Sequence, residues 1–228
     1  MNVEDAARVD EKAGLTRREP RWPVALAIVV VFVLLDILPE RIRLLPVWVL
    51  WLACAAVVAP LALVEFRPSN AWRRVETWVV LAFAALAGLA NLAFLAELLK
   101  EVIGRSGPVS GLALLSSSVA VWCVNVLMFS LLYWQMDRGG PGERSSAIDT
   151  LRDWSFPQDT APAGEVIRGW RPTYPDYLFL SFSTATAFST TEVAPFTTRA
   201  KMLMMAEAAI SLMALALVAA RAINILGS

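Results

Sequence analysis

The sequence predicts an all-α, polytopic membrane protein of about five transmembrane helices, with a short re-entrant, pore-loop-like helix before the last. Three observations predict it. Of the 228 residues, 57% are hydrophobic, against roughly 45–50% in soluble domains. The apolar residues fall in blocks of about 20, the length a helix needs to cross roughly 30 Å of hydrocarbon. One stretch near the end, 176–195, is too short to span and too rich in hydroxyls to face lipid.

The first 21 residues are polar and mixed in charge, as expected of a disordered tail. Arg17 and Arg18 precede an apolar run in the manner of an export signal. That run ends in Asp36, Pro39 and Glu40 instead of small residues, so it reads as a retained helix, 22–38. Pro23 sits where a first turn tolerates it, and Asp36 reads as an interfacial carboxylate. The second block, 46–64, opens with Trp48 and Trp51 as interface anchors and carries Pro60 near its far end. A loop over 65–76 with Arg67, Arg73 and Arg74 leads to the third block, 77–99, which contains Asn91 and Glu97. These three helices make up 22–108.

The remainder, 109–228, reads as a second region. Its first helix, 109–135, holds Asn125 and the run Ser116, Ser117 and Ser118; small hydroxyl residues commonly mark close helix packing in a bilayer. A polar segment, 137–176, opens with a Gly-Gly-Pro turn signal at Gly139, Gly140 and Pro141. Its Trp154, Phe156, Trp170 and Tyr174 suggest a loop lying against the membrane surface. The segment 177–195 is the re-entrant candidate, and 199–226 is the last helix, with Glu207 inside it.

Composition narrows function. The 20 Lys and Arg balance 20 Asp and Glu, so nothing points to nucleic acid. Histidine is absent, which removes the commonest metal ligand and the usual general base. Cys54 and Cys123 both lie in apolar blocks and read as packing thiols. No paired acids or nucleophile-elbow serine stand at catalytic spacing, so neither an enzyme, a metal site nor a cofactor is expected. The expected setting is a multi-pass protein of the cell membrane whose first partner is the lipid bilayer.

The stretch 176–195 runs from an aspartate-tyrosine-leucine start through threonines to a hydrophobic pair and a proline. It resembles the pore helix, filter and filter exit of two-helix potassium channels. Without a gap, Asp176, Tyr177, Leu178, Ser181, Phe182, Thr184, Thr186 and Pro195 fall on matching residue types, and Glu192 falls on the filter aspartate. The final helix is similar to the inner helix, and Leu131, Leu132 and Tyr133 to the end of the outer helix. The whole chain is also similar to a family of bacterial membrane proteins with a domain of unknown function. That family has a tryptophan- and proline-bearing loop (compare Trp154, Ser155, Phe156 and Pro157) and a degenerate filter.

The filter glycines fall at Ser189 and Thr191. A potassium filter needs backbone conformations that glycine adopts freely and a β-branched threonine resists, so a dehydrating carbonyl cage is not expected. A wider polar path is: Thr184, Thr186, Ser189, Thr190 and Thr191 bring hydroxyls to one depth, and Glu192 would form an acidic ring at one mouth of a homo-oligomer. The resemblance implies four copies and a monovalent cation as the passing species. The alternative is a non-conducting scaffold or sensor that uses the loop 137–176, with the hydroxyls bonded to their own helix carbonyls. Asn91, Glu97, Asn125 and Glu207 are polar candidates within the bilayer. Glu207 is either a pore-facing acid or the partner of Lys201 or Arg199.

Sidedness receives two opposed readings. Segments 1–21, 65–76 and 137–176 hold thirteen Lys and Arg, against four in 40–43 and 100–107. The charge rule therefore puts the N-terminus and the long loop in the cytoplasm, whereas potassium-channel pore loops enter from outside.

Overall fold

The structure, a computed structural model, describes residues 19–37, 47–66, 69–104, 111–144, 151–162, 164–166, 170–186 and 192–226. Leu-, Ala- and Val-rich runs form helices α1 (Trp22–Ile37), α2 (Val47–Phe66), α3 (Asn70–Gly104) and α4 (Gly111–Met136). After α4 come a 3-10 turn (Asp137–Gly139), the single turn α5 (Pro141–Arg144), strand β1 (Trp154–Ser155) and a second 3-10 turn (Pro157–Asp159). Helix α6 (Tyr174–Thr186), strand β2 (Ala194–Pro195) and the long helix α7 (Thr198–Leu226) complete the order.

Among the described residues, three stretches are long and apolar enough to cross a membrane: Ala71–Lys100, Leu115–Gly139 and Thr198–Ala220. Two further apolar stretches, Trp22–Asp36 and Trp51–Phe66, are shorter. The long helices are apolar around most of their circumference, the pattern of a helix surrounded by lipid or protein rather than water.

Helix α4 is the axis of the bundle and packs against α1, α3, α6 and α7. Its Leu131, Tyr133 and Trp134 are fully buried, in one core with Ile28 and Val31 of α1 and Val80 and Ala84 of α3. A smaller cluster joins Phe94, Leu95 and Leu98 of α3 to Val121 of α4 and to Ala214 and Leu217 of α7. Helices α3 and α4 run antiparallel and very close. The Gln135 amide donates to Thr77 Oγ1 at 3.0 Å, and a Cβ added at Gly88 would stand 2.6 Å from Met128 Sδ. Small residues permit such approach where no hydrophobic force drives helices together in lipid.

Helix α3 begins at Asn70, inside the segment 65–76 that the sequence assigned to a loop. Ser69 Oγ accepts the Trp72 N–H at 3.3 Å, a helix cap, and Arg73, Arg74 and Glu76 continue the helix outward. Its 35 residues extend about 50 Å, well beyond the roughly 30 Å hydrocarbon layer. Arg21, just before α1, pairs with Glu76 at 3.3 Å, and Glu19 accepts Trp134 Nε1 at 2.5 Å. The segment before α1, the start of α3 and the end of α4 therefore share one face of the bundle.

In the described part of the loop after α4, two of the aromatics that the sequence assigned to a membrane-surface loop turn into the protein. Trp154 and Phe156 are buried, with the Trp154 ring 4.7 Å from Tyr133 and the Phe156 ring 5.4 Å from Tyr177. A reversal at Arg138 (φ 54°), Gly139 (φ 77°) and Gly140 (φ 93°) makes this return possible. A Cβ at Gly140 would meet the Gln135 carbonyl at 2.9 Å, so both conformation and space require glycine there. Strands β1 and β2 then pair antiparallel, Trp154 with Pro195 and Ser155 with Ala194.

Candidate functional site

Helix α6 has 13 residues and reaches about 20 Å, too short to cross hydrocarbon. Its start is fixed by the Asp176 carboxylate reaching back to Thr173. Asp176 Oδ2 accepts the Thr173 N–H at 2.7 Å and the Thr173 hydroxyl at 2.9 Å. Tyr174, Tyr177, Leu180, Ser181 and Ala185 point into the bundle, while Phe179 and Phe182 stay exposed on the opposite side. The helix leads inward: Tyr177 lies at the end of α4, Ser181 at Val126 and Phe182 against Trp122, with ring centroids 5.8 Å apart. Residues 194–195 then stand beside β1, back at the face where α6 began.

Two polar knots hold this segment. In the first, the fully buried Asp137 takes the Tyr177 hydroxyl at 2.7 Å and the Asp153 N–H at 2.8 Å. Burial, opposed by the nearby Arg144 and helped by the Asp137 carboxylate, pushes the Tyr177 hydroxyl well above its usual range, so it remains a donor. Arg144 donates to the carbonyls of Trp134 (2.6 Å) and Asp137 (3.0 Å) and to Glu19 Oε2 (3.1 Å). It also covers the Tyr177 ring at 5.0 Å. Arg138 clamps Asp159 with one nitrogen at 2.7 and 2.8 Å. Asp153 ties the loop to the start of α7, accepting two bonds from Arg199 at 2.6 and 2.5 Å.

The second knot lies inside the bundle. Glu207 of α7 is fully buried; its Oε2 contacts the Tyr133 hydroxyl of α4 and its Oε1 the Ser181 hydroxyl of α6. Ser181 Oγ also stands 2.7 Å from the Val126 carbonyl. One turn further along α7, Ser211 Oγ accepts from Asn125 Nδ2 at 2.8 Å, and the same nitrogen lies 3.3 Å from the Glu207 carbonyl. Asn125 Oδ1 and Asn91 Nδ2 are both buried without a partner. The register that sets Gly88 against Met128 puts Asn91 at the depth of Asn125.

The residues singled out in the sequence thus separate. Thr184 and Thr186 are half-buried and donate to their own helix, to the carbonyls of Leu180 (2.8 Å) and Ser183 (3.2 Å). Ser189, Thr190 and Thr191 lie outside the described residues. Glu192 is exposed and lines an open cavity of about 300 Å³ with Phe156, Pro157, Gln158, Asp176, Phe179 and Val193. Asn91, Asn125 and Glu207 come to one level of the bundle. Glu97 does not join them: α3 buries Phe94, Leu95 and Leu98, and the intervening Glu97 faces outward, 2.7 Å from Lys100. Glu207 pairs with neither Lys201 nor Arg199. The latter is engaged by Asp153, and the glutamate turns toward α4 and α6.

Sequence reasoning missed Asp137, Arg144 and Asp153. The available signal was an acidic residue closing an apolar block directly before a Gly-Gly reversal, where a charge is costly unless the returning chain pairs with it. No family model, curated protein or solved structure matches the chain.

Proposed function

We propose that this chain is one subunit of a homo-oligomeric, tetrameric pore-loop protein of the cell membrane. All five apolar helices (α1, α2, α3, α4 and α7) cross the bilayer, and 174–195 is a re-entrant loop. The observation that carries the reading is the path of that loop. A helix too short to span enters between two long helices, and its exit strand returns to the face of entry. Non-helical backbone at membrane depth is tolerated only where protein or a water-filled path surrounds it.

The path so lined is a polar one, open to cations or small solutes with little selectivity. Glu192 supplies an acidic ring at the mouth, and the lost filter glycines exclude tight coordination of a dehydrated potassium ion. The exposed Phe179 and Phe182 of α6, with Met202, Met205, Leu212 and Met213 of α7, provide apolar surface for neighbouring copies. The likeness to potassium-channel pore modules and to the bacterial family of unknown function belongs to this proposal. The charge rule, counted on the sequence, supports a cytoplasmic N-terminus and a cytoplasmic loop 137–176.

One observation favours a second reading, a non-conducting scaffold or sensor. Thr184 and Thr186 direct their hydroxyl hydrogens to their own backbone, as packing residues do. Flux of monovalent cations and small neutral solutes into liposomes, with native mass measured in parallel, separates the two. A tetramer whose flux changes with Thr190→Ala and Glu192→Gln supports the pore. A monomer, or a tetramer with no flux, supports the scaffold.

A further inference from the structure

Hydrogen counting at Glu207 leads to a conclusion independent of whether the protein conducts. A serine hydroxyl carries one hydrogen. Ser181 Oγ lies within bonding distance of two oxygens, the Val126 carbonyl at 2.7 Å and Glu207 Oε1. The carbonyl is only an acceptor, so the Ser181 hydrogen belongs on that line. The line to Glu207 then needs a second hydrogen, and the only group able to supply it is the Glu207 carboxyl. Tyr133 donates to the other oxygen, Oε2.

We propose that Glu207 is a proton-binding site: at neutral pH it is a neutral carboxylic acid, donating through Oε1 to Ser181 and accepting from Tyr133 through Oε2. Losing the proton weakens the attachment of α6 to α7.

The surroundings agree. Glu207 is fully buried within a stretch apolar enough to span, and among the described residues no Lys or Arg comes within ion-pair distance. Helix α4 presents Tyr133 and the amide of Asn125. Helix α6 presents Ser181, its Tyr177 being directed to Asp137. Of the nearest bases on α7, Arg199 is held by Asp153 and Lys201 is exposed. An ionised carboxylate there would lack a counter-charge in a medium that strongly disfavours one. It would also leave Ser181 with two acceptors and a single hydrogen, so α6 would keep either its bond to α4 or its bond to α7.

The test uses full-length protein in nanodiscs, compared with Glu207→Gln, whose amide reproduces both bonds without a titrating proton. Infrared difference spectra of wild type minus Glu207→Gln at pH 7 are expected to contain the carbonyl band of a protonated carboxylic acid. That band should shift in Ser181→Ala and fade on alkaline titration. Thermal unfolding supplies a second readout. Where the native protein keeps the proton and the unfolded chain releases it, the folded-to-unfolded ratio of wild type should fall tenfold per pH unit relative to Glu207→Gln. Glu207→Gln should match wild type below about pH 4, where the unfolded chain also keeps the proton, and gain on it as pH rises, whereas Glu207→Ala should unfold earlier at every pH. Absence of the acid band at pH 7, or wild type gaining on Glu207→Gln as pH rises, overturns the proposal.

Discussion

Replacing Asp137 by alanine is expected to be among the most damaging single changes outside the apolar core. The carboxylate accepts the Tyr177 hydroxyl at 2.7 Å and the Asp153 N–H at 2.8 Å, and it stands 3.4 Å from Arg138 Nε. Alanine leaves two buried donors without an acceptor, each costing about 1–3 kcal/mol. Arg138 keeps its ion pair with Asp159 and Arg144 its pair with Glu19, so the lost counter-charge adds little. A total near 4 kcal/mol is expected, or roughly 8–16 °C in the thermal midpoint of a chain this size. Asp137→Asn keeps one acceptor for the Asp153 N–H and turns its amide toward the Tyr177 oxygen, which can accept. It should cost about 1–2 kcal/mol. Tyr177→Phe removes only the hydroxyl and should cost about 1 kcal/mol. The assay is unfolding in mixed micelles followed by tryptophan fluorescence, with the double variant Asp137→Ala/Tyr177→Phe completing the cycle. A coupling of about 1 kcal/mol or more is expected for groups in direct contact. If the two losses add to within about 0.3 kcal/mol, Asp137 does not hold α6 and the reasoning fails.

Three further outcomes are expected. Gly88→Leu should destabilise by about 3 kcal/mol through overpacking at Met128, and Gly88→Ala by about 1 kcal/mol. Met128→Ala should restore much of either loss in a denaturation series. Asn125→Leu should cost about 1–2 kcal/mol by removing the bonds to Ser211 and the Glu207 carbonyl. Asn91→Leu removes a buried donor that has no partner and should be neutral or slightly stabilising in the same titration. Single cysteines at the exposed Glu165 and Glu97, in a background free of Cys54 and Cys123, should react with impermeant thiol reagents from opposite sides. In inside-out vesicles position 165 should label first, and the reverse order would reject a cytoplasmic loop.

The helices were legible because a bilayer demands long apolar runs, and α6 because a short hydroxyl-rich helix cannot lie free in lipid. The start of α3 was not, since Arg73, Arg74 and Glu76 resemble loop residues when the only criterion is hydropathy. Arg21, the partner of Glu76, lies far away in sequence, and the Ser69 cap is a weak local signal. The burial of Trp154 and Phe156 was not legible for a related reason. A tryptophan suits an interface and a protein core equally, and only the Gly140 reversal and the β1–β2 pairing decide that Trp154 turns inward. Asn91, Asn125 and Glu207 were identifiable as polar residues in apolar blocks, but helical register, not residue type, brings them to one level. Register also separates Glu97 from them, one residue short of the buried Leu98.

The dependence of α6 on its neighbours has a consequence for biogenesis. Thirteen residues with this many hydroxyls give the insertion machinery no reason to release the segment into lipid by itself. Its places of rest, the Val126 carbonyl on α4 and the Glu207 side chain on α7, are separated by the whole of the long loop. Helix α7 emerges from the ribosome after α6, so α6 waits undocked until its successor is in place. A nascent chain halted before residue 198 would hold α1–α4 and an undocked α6. Protease protection of 174–186 should then appear only after α7 is complete.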